Sequence, residues 1–225
     1  MKRVLVPILA ALAAIGLALT VWGIFVITPM EQNLFYSQKI FYWHVPNAFM
    51  LFLAVFVCGI ASIAFLRKRD HRYDDLGLAA AELSVLYGAI VLVTGSIWAR
   101  AAWSTWWVWE PRLVTSLLLW LIMVGYVLVR RFAGAGAERL AAGLAIFGMV
   151  DVPLIYKGVS AGDRHPQAKV VQTLDPSMKL TFWLSVLTFL ILFVALLLTR
   201  IQSARAERQL REIHDRGLDL GLLES

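Results

Sequence analysis

Residues 45–66 read VPNAFMLFLAVFVCGIASIAFL, an apolar stretch without a charged side chain. A helix of about 20 such residues crosses the hydrocarbon core of a bilayer. Five more stretches of similar character occur at residues 4–27, 76–99, 113–129, 140–155 and 180–199. The sequence therefore predicts an all-α polytopic membrane protein, a bundle of six transmembrane helices that forms a single membrane domain over residues 1–225.

The composition excludes a large soluble catalytic domain. Hydrophobic residues make up 60% of the 225-residue chain and charged residues 16%, against roughly 45–50% and 25% in soluble proteins. The mean hydropathy is +0.73. The one cysteine, Cys58, lies in an apolar stretch, so the sequence offers no intramolecular disulfide or Cys-x-x-Cys redox pair. We interpret Cys58 as a small core residue.

Positive charges predict how the chain is oriented. Most of the 21 Lys and Arg residues fall in segments that lie on the same side of the membrane as the N-terminus. They include the cluster Arg67, Lys68 and Arg69. Cytoplasmic loops carry such an excess of cations, so both termini are expected in the cytoplasm, with residues 200–225 as a charged, helical tail. Within that tail, Arg208 and Glu212 are spaced to pair across one helical turn. The net charge of +6 then reflects topology rather than nucleic-acid binding.

The second outer loop is rich in tryptophan. Residues 98–112 read WARAAWSTWWVWEPR and contain five of the nine tryptophans. If this loop is helical, Trp103, Trp106, Trp107 and Glu110 share one face. Two interpretations remain open: an interfacial belt of the kind that tryptophan forms in membrane proteins, and a stacking platform for a flat conjugated ligand.

The residues after these tryptophans also have structural interpretations. Glu110 and Pro111 can start the fourth helix, because a carboxylate and a proline both suit the first turn. Arg112 can clamp a ligand carboxylate or extend towards the lipid headgroups.

Two of the four histidines are predicted to lie on the tryptophan side. His44 falls in the first outer loop, just before Pro46, which we expect to open the second helix, and His165 falls in the third outer loop. His71 and His214 fall on the opposite, cytoplasmic side. Two imidazoles beside an aromatic surface suggest axial ligation of haem iron, with Arg112, and less directly Arg100, pairing with the propionates. The alternative is that both are ordinary loop histidines.

These motifs resemble a known family. Residues 103–116, WSTWWVWEPRLVTS, resemble the tryptophan-rich "WWD" signature of haem-handling membrane proteins, with Glu110 in place of its aspartate. Residues 42–50, YWHVPNAFM, together with the six segments, resemble the cytochrome c maturation protein C family over nearly the whole chain.

The resemblance implies a haem-delivery protein of the bacterial inner membrane, without independent catalytic residues. Such a protein holds haem b on the periplasmic side and presents it to a periplasmic haem chaperone. It works with an ABC-type ATPase, further membrane subunits and a small membrane adaptor subunit. The implied axial ligands are His44 and His165. The other implied haem contacts are Trp98, Trp103, Trp106, Trp107, Trp109, Glu110 and Arg112.

Two rival functions remain open. A subunit that moves haem across the bilayer would need polar groups within its helices, and only Glu82 and Asp151 approach that description. A b-type electron-transfer subunit would place histidine pairs within facing helices, whereas no histidine falls inside a predicted membrane span.

Overall fold

The computed structural model describes residues 2–134, 136–157 and 170–220, and within these ranges the chain forms helices and no β-strand. Six helices are long and apolar enough to cross a membrane, which confirms the predicted all-α, six-helix fold. A four-residue helix, α6, precedes the last long helix. The helices are α1 (Lys2–Trp22), α2 (Phe41–Lys68), α3 (His71–Trp103), α4 (Pro111–Phe132), α5 (Ala137–Lys157), α6 (Val170–Thr173) and α7 (Pro176–Asp219).

The bundle is centred on α2, which packs against α3, α5 and α7. Its buried face supplies Leu51, Ala54, Val55 and Cys58 to the main core. Cys58 is fully buried, as its interpretation as a small core residue requires. Helix α1 lies at the periphery and packs mainly on α7.

Long helices alternate in direction, so each end of the bundle collects particular chain segments. The tryptophan end is defined here as the end where α2 and α4 begin and α3 and α5 finish, and the basic end is the opposite one. Ion pairs join the helices in the basic half. Asp74 of α3 contacts Arg130 of α4 at 2.8 Å, and Asp75 contacts Arg208 of α7 at 3.1 Å. Pairing compensates both carboxylates, which are buried.

Helix α7 continues without interruption from its apolar half into the charged tail as far as Asp219. Arg208 and Glu212 form the predicted pair across one turn, at 3.0 Å. Where the apolar half of α7 meets the charged tail, Arg200 contacts Glu82 of α3 through two nitrogens, one of them at 2.8 Å from Oε1. Glu82 is therefore neutralised by a neighbouring helix.

The start of α2 differs from its prediction. The helix begins at Phe41, directly after a 3-10 turn over Tyr36–Ile40, and Pro46 lies inside it. Proline cannot donate the helical hydrogen bond to the carbonyl four residues earlier. That carbonyl belongs to Tyr42, and the buried hydroxyl of Ser185 in α7 donates to it instead. The expectation that Pro46 opens the helix is therefore wrong, because α7 compensates for the missing donor.

Candidate functional site

His44 lies within α2, in its first two turns, and not in a loop. This corrects both the predicted loop position and the expectation that no histidine falls inside a membrane span, because the candidate span Tyr36–Lys68 includes His44. The side chain is half-buried against α3. Its Nδ1 lies 3.0 Å from Oγ1 of Thr94, and that hydroxyl donates to the carbonyl of Ile90 at 2.6 Å. The imidazole is therefore held between two helices at the tryptophan end.

Gly95 allows the imidazole to approach α3 closely. A methyl group built at this position would lie 3.1 Å from Cε1 of His44, closer than an ordinary carbon–carbon contact. Trp98 is three residues from Gly95 and four from Thr94, so these residues share one face of α3. His44 and the first tryptophan of the cluster thus belong to the same α2–α3 interface.

The tryptophan segment is not one helix. Helix α3 ends at Trp103, Ser104 adopts a left-handed conformation with φ 59°, and helical structure resumes only at Pro111. The conditional prediction of one helical face shared by Trp103, Trp106, Trp107 and Glu110 is therefore wrong, because the αL residue terminates the helix.

The indole rings pair edge to face. Trp98 and Trp103 have ring centroids 5.2 Å apart at an interplanar angle of 80°. Trp107 and Trp109 lie 6.1 Å apart at 75°. The segment therefore presents two angled aromatic pairs instead of one flat shelf, and edge-to-face geometry stabilises each pair.

Two exposed tryptophans lie in the connection between α3 and α4. Trp109 is 79% exposed and Trp106 is 59% exposed. An open groove of about 400 Å³ lies there, lined by Leu92, Trp107, Trp109 and Leu117. Such a surface can accept the face or edge of a flat apolar molecule.

Charged side chains border the tryptophans. Helix α4 begins at Pro111 with Glu110 at the N-cap position. This agrees with the interpretation that these two residues start the fourth helix. Arg112 is half-buried in the first turn of α4, where its guanidinium adds a cation next to the aromatic segment. Arg100 is exposed, and its guanidinium donates to the carbonyl of Ser104, so it closes the end of α3.

Two of the other three histidines lie at the end of the bundle opposite the tryptophans. His71 opens α3 and His214 lies in the last part of α7, both at the basic end. His165 lies outside the described residues, in the connection that follows Lys157 at the end of α5.

No sequence motif singles out Thr94, Gly95 or Ser185, which hold the His44 segment. The available signal was their small size within apolar helices, because small residues let membrane helices approach closely and hydroxyls bond across or along them. That signal is weak without knowledge of the facing helix.

Comparison with known proteins gives consistent matches. Residues 1–216 match the family model of CcmC, heme exporter protein C. Heme exporter protein C of Bradyrhizobium diazoefficiens is 31% identical over 217 residues, which cover 92% of this chain and 81% of that protein. The protein of the same name from Rhodobacter capsulatus is 30% identical, with 95% and 91% covered.

A plant relative is also similar. The putative cytochrome c biosynthesis ccmC-like mitochondrial protein of Marchantia polymorpha is 26% identical over 199 residues, covering 88% of this chain and 83% of that protein. The family match over residues 1–216, together with six apolar helices and a tryptophan-rich segment at the same end of the bundle as a half-buried histidine, leads to one assignment: this chain is a membrane-spanning member of the heme exporter protein C family.

Proposed function

We propose that the protein binds haem at the outer face of the bacterial inner membrane and delivers it to a periplasmic haem chaperone for c-type cytochrome maturation. The observation that carries the proposal is the position of His44. Its imidazole is fixed against Thr94 at the same end of the bundle as the exposed tryptophans. The names of its relatives, which describe heme export and cytochrome c biosynthesis, support the same function.

The donor set fits haem b. A neutral imidazole is a common ligand of haem iron, and His44 supplies one from a helix. We assign the second axial position to His165. The exposed indoles of Trp106 and Trp109, with the half-buried indoles of Trp98, Trp103 and Trp107, would contact the porphyrin. When bound, haem supplies the iron and the reactive porphyrin edge, while the protein supplies orientation.

Two charged residues complete the proposed site. Arg112 would pair with a propionate, because a guanidinium binds a carboxylate through two parallel hydrogen bonds. Glu110 would shape the border between the aromatic segment and α4. No residue is assigned an independent catalytic step.

The proposed setting follows from the charge distribution. Both termini lie in the cytoplasm, residues 200–225 form the cytoplasmic tail, and the tryptophan end faces the periplasm. We propose that the chain works with an ABC-type ATPase, further membrane subunits and a small membrane adaptor subunit.

Geometry gives less support to the two rival functions. A route for haem across the bilayer would need exposed polar groups within the helices, yet Glu82 is held by Arg200 and Asp151 is buried in α5. Electron transfer between haems within the bundle would need facing histidines. Among the described residues, the other two histidines lie at the basic end.

A vesicle assay tests delivery. Haem-loaded protein is placed in lipid vesicles, and purified apo-chaperone is added outside to vesicles sorted for an outward-facing tryptophan end. The expected result is transfer of haem to the chaperone, reduced by His44→Ala and unchanged by the control His71→Ala. Transfer that His44→Ala leaves intact, or haem accumulation in the vesicle lumen with this protein alone, would overturn the proposal.

A further inference from the structure

We propose that Thr94 is a positioning residue that fixes the tautomer of His44, so that Nε2 is the nitrogen presented to iron. This inference rests on the proposed function for its biological meaning. Its structural part concerns the protein without haem, and it can be tested there by itself.

The hydrogen positions are assigned from the donors available and from the distances between the atoms. A threonine hydroxyl has one hydrogen to donate, and Thr94 directs it to the carbonyl of Ile90 at 2.6 Å, with the carbonyl of Val91 further away at 3.3 Å. Both carbonyls are acceptors only. The hydroxyl oxygen is closer to the Ile90 carbonyl, at 2.6 Å, than to Nδ1 of His44, at 3.0 Å, and this difference assigns the hydrogen to the carbonyl and the acceptor role towards His44 to the hydroxyl.

It follows that Nδ1 of His44 carries the proton. In a neutral imidazole the other nitrogen, Nε2, then has the lone pair that binds a metal. Metal-binding histidines commonly fix their tautomer in this way, by donating the second ring N–H to a polar neighbour. In this chain the neighbour comes from a different helix, so the packing of α2 against α3 sets the tautomer.

The orientation of the ring is restricted by the same helix. The backbone of Gly95 lies against the imidazole, since a methyl group there would be 3.1 Å from Cε1 and 3.6 Å from Nδ1. The hydroxyl of Thr94 and the bare backbone of Gly95 therefore hold one edge of the ring. Nε2 is bonded to Cε1 and is the ring nitrogen that neither of these two contacts engages.

The neutral acceptor has a chemical consequence. A carboxylate in this position would raise the basicity of the imidazole and strengthen its bond to iron, whereas a hydroxyl polarises Nδ1–H less. The arrangement orients His44 without making it an unusually strong ligand. An oriented ligand of ordinary strength suits a protein that must release its haem to a partner.

The first test needs no haem. The ring nitrogens of ¹⁵N-histidine-labelled full-length protein in detergent are observed by NMR, and His44 is assigned from the signals lost in His44→Gln. The expected result at a pH where the imidazole is neutral is a protonated Nδ1 and an unprotonated Nε2. A protonated Nε2 would overturn the inference.

The second test uses substitutions and haem titration of the apo-protein, followed by Soret absorption. Thr94→Val keeps the side-chain shape but removes the acceptor, so affinity is expected to fall about 10- to 100-fold. Thr94→Ser should restore it. Thr199→Val is the matched control, because Thr199 also bonds to its own helix, at 2.8 Å to Ala195, but lies in the basic half.

The outcomes separate the two proposals. Wild-type affinity in Thr94→Val, or failure of Thr94→Ser to restore binding, would overturn the role of Thr94. Unchanged haem binding in His44→Ala would instead overturn the assignment of His44 as a ligand, and the NMR tautomer would still decide the structural part.

Discussion

The hydroxyl of Ser185 in α7 donates a hydrogen bond to the backbone carbonyl of Tyr42 in α2. This carbonyl lacks a helical donor because Pro46, four residues later, has no N–H. Ser185 is fully buried, so water does not replace it. The bond allows α2 to begin at Phe41, ahead of its proline, and thereby includes His44 in a helix.

Removing this hydroxyl should destabilise the protein. Ser185→Ala leaves a buried carbonyl unsatisfied, and the expected loss is about 1–3 kcal/mol in the free energy of unfolding. In the Pro46→Ala background, the backbone N–H of residue 46 can bond to the carbonyl of Tyr42. Ser185→Ala should therefore lower the free energy of unfolding by less in that background. Denaturant unfolding in detergent gives all four values of this double-mutant cycle, and equal costs in both backgrounds would contradict the explanation. Ser203→Ala, at an exposed hydroxyl, is the control.

Two carboxylates near Arg130 should contribute unequally to stability. Asp74 contacts it at 2.8 Å and is buried, whereas Glu138 contacts it at 3.4 Å and is 39% exposed. Asp74→Asn removes the buried partner, with an expected cost of about 3–5 kcal/mol. Glu138→Gln should cost less than about 1 kcal/mol because solvent screens the pair. Similar losses in the two variants, measured by the same unfolding assay, would refute this ranking.

Gly95→Ala should disturb His44 without a large loss of stability. The added methyl would lie 3.1 Å from Cε1, so the imidazole must move by a few tenths of an ångström. We expect weaker haem binding and a shifted Soret band. Gly143→Ala in α5 has open space around the new methyl and should keep the spectrum of the wild type. A wild-type spectrum and affinity in Gly95→Ala would show that this close approach does not position the ring.

Substituting an exposed tryptophan distinguishes a haem platform from an interfacial belt. Trp109 is 79% exposed, and Trp22, at the end of α1, is 55% exposed. An aromatic stacking partner contributes about 0.5–1.5 kcal/mol, so Trp109→Leu should lower haem affinity about 2- to 10-fold. Trp22→Leu should leave haem affinity unchanged. If titration shows no loss in Trp109→Leu, the belt interpretation is favoured for that residue.

Hydropathy was sufficient to predict six apolar helices, because each must bury its backbone hydrogen bonds within the bilayer. Helix boundaries were harder to predict. Pro46 suggested a helix start, but its effect depends on Ser185, which lies far away in sequence. The end of α3 depends on the left-handed conformation of Ser104, a residue type that carries no strong stop signal.

The candidate site was predictable in its residue types but not in its contacts. The density of tryptophan pointed to the segment between α3 and α4, and the neighbouring family motif pointed to His44 as a candidate ligand. Neither pattern indicated that Thr94 and Gly95 would meet the imidazole, because helix register across α2 and α3 is set by packing. His165, the predicted second ligand, lies outside the described residues.

Electron paramagnetic resonance of the purified, haem-loaded protein tests the assignment of His44 most directly. We expect a low-spin, six-coordinate ferric signal typical of two histidine ligands in the wild type and in His71→Ala. In His44→Ala that signal should be lost or converted to a high-spin form. An unchanged low-spin signal in His44→Ala would contradict the account.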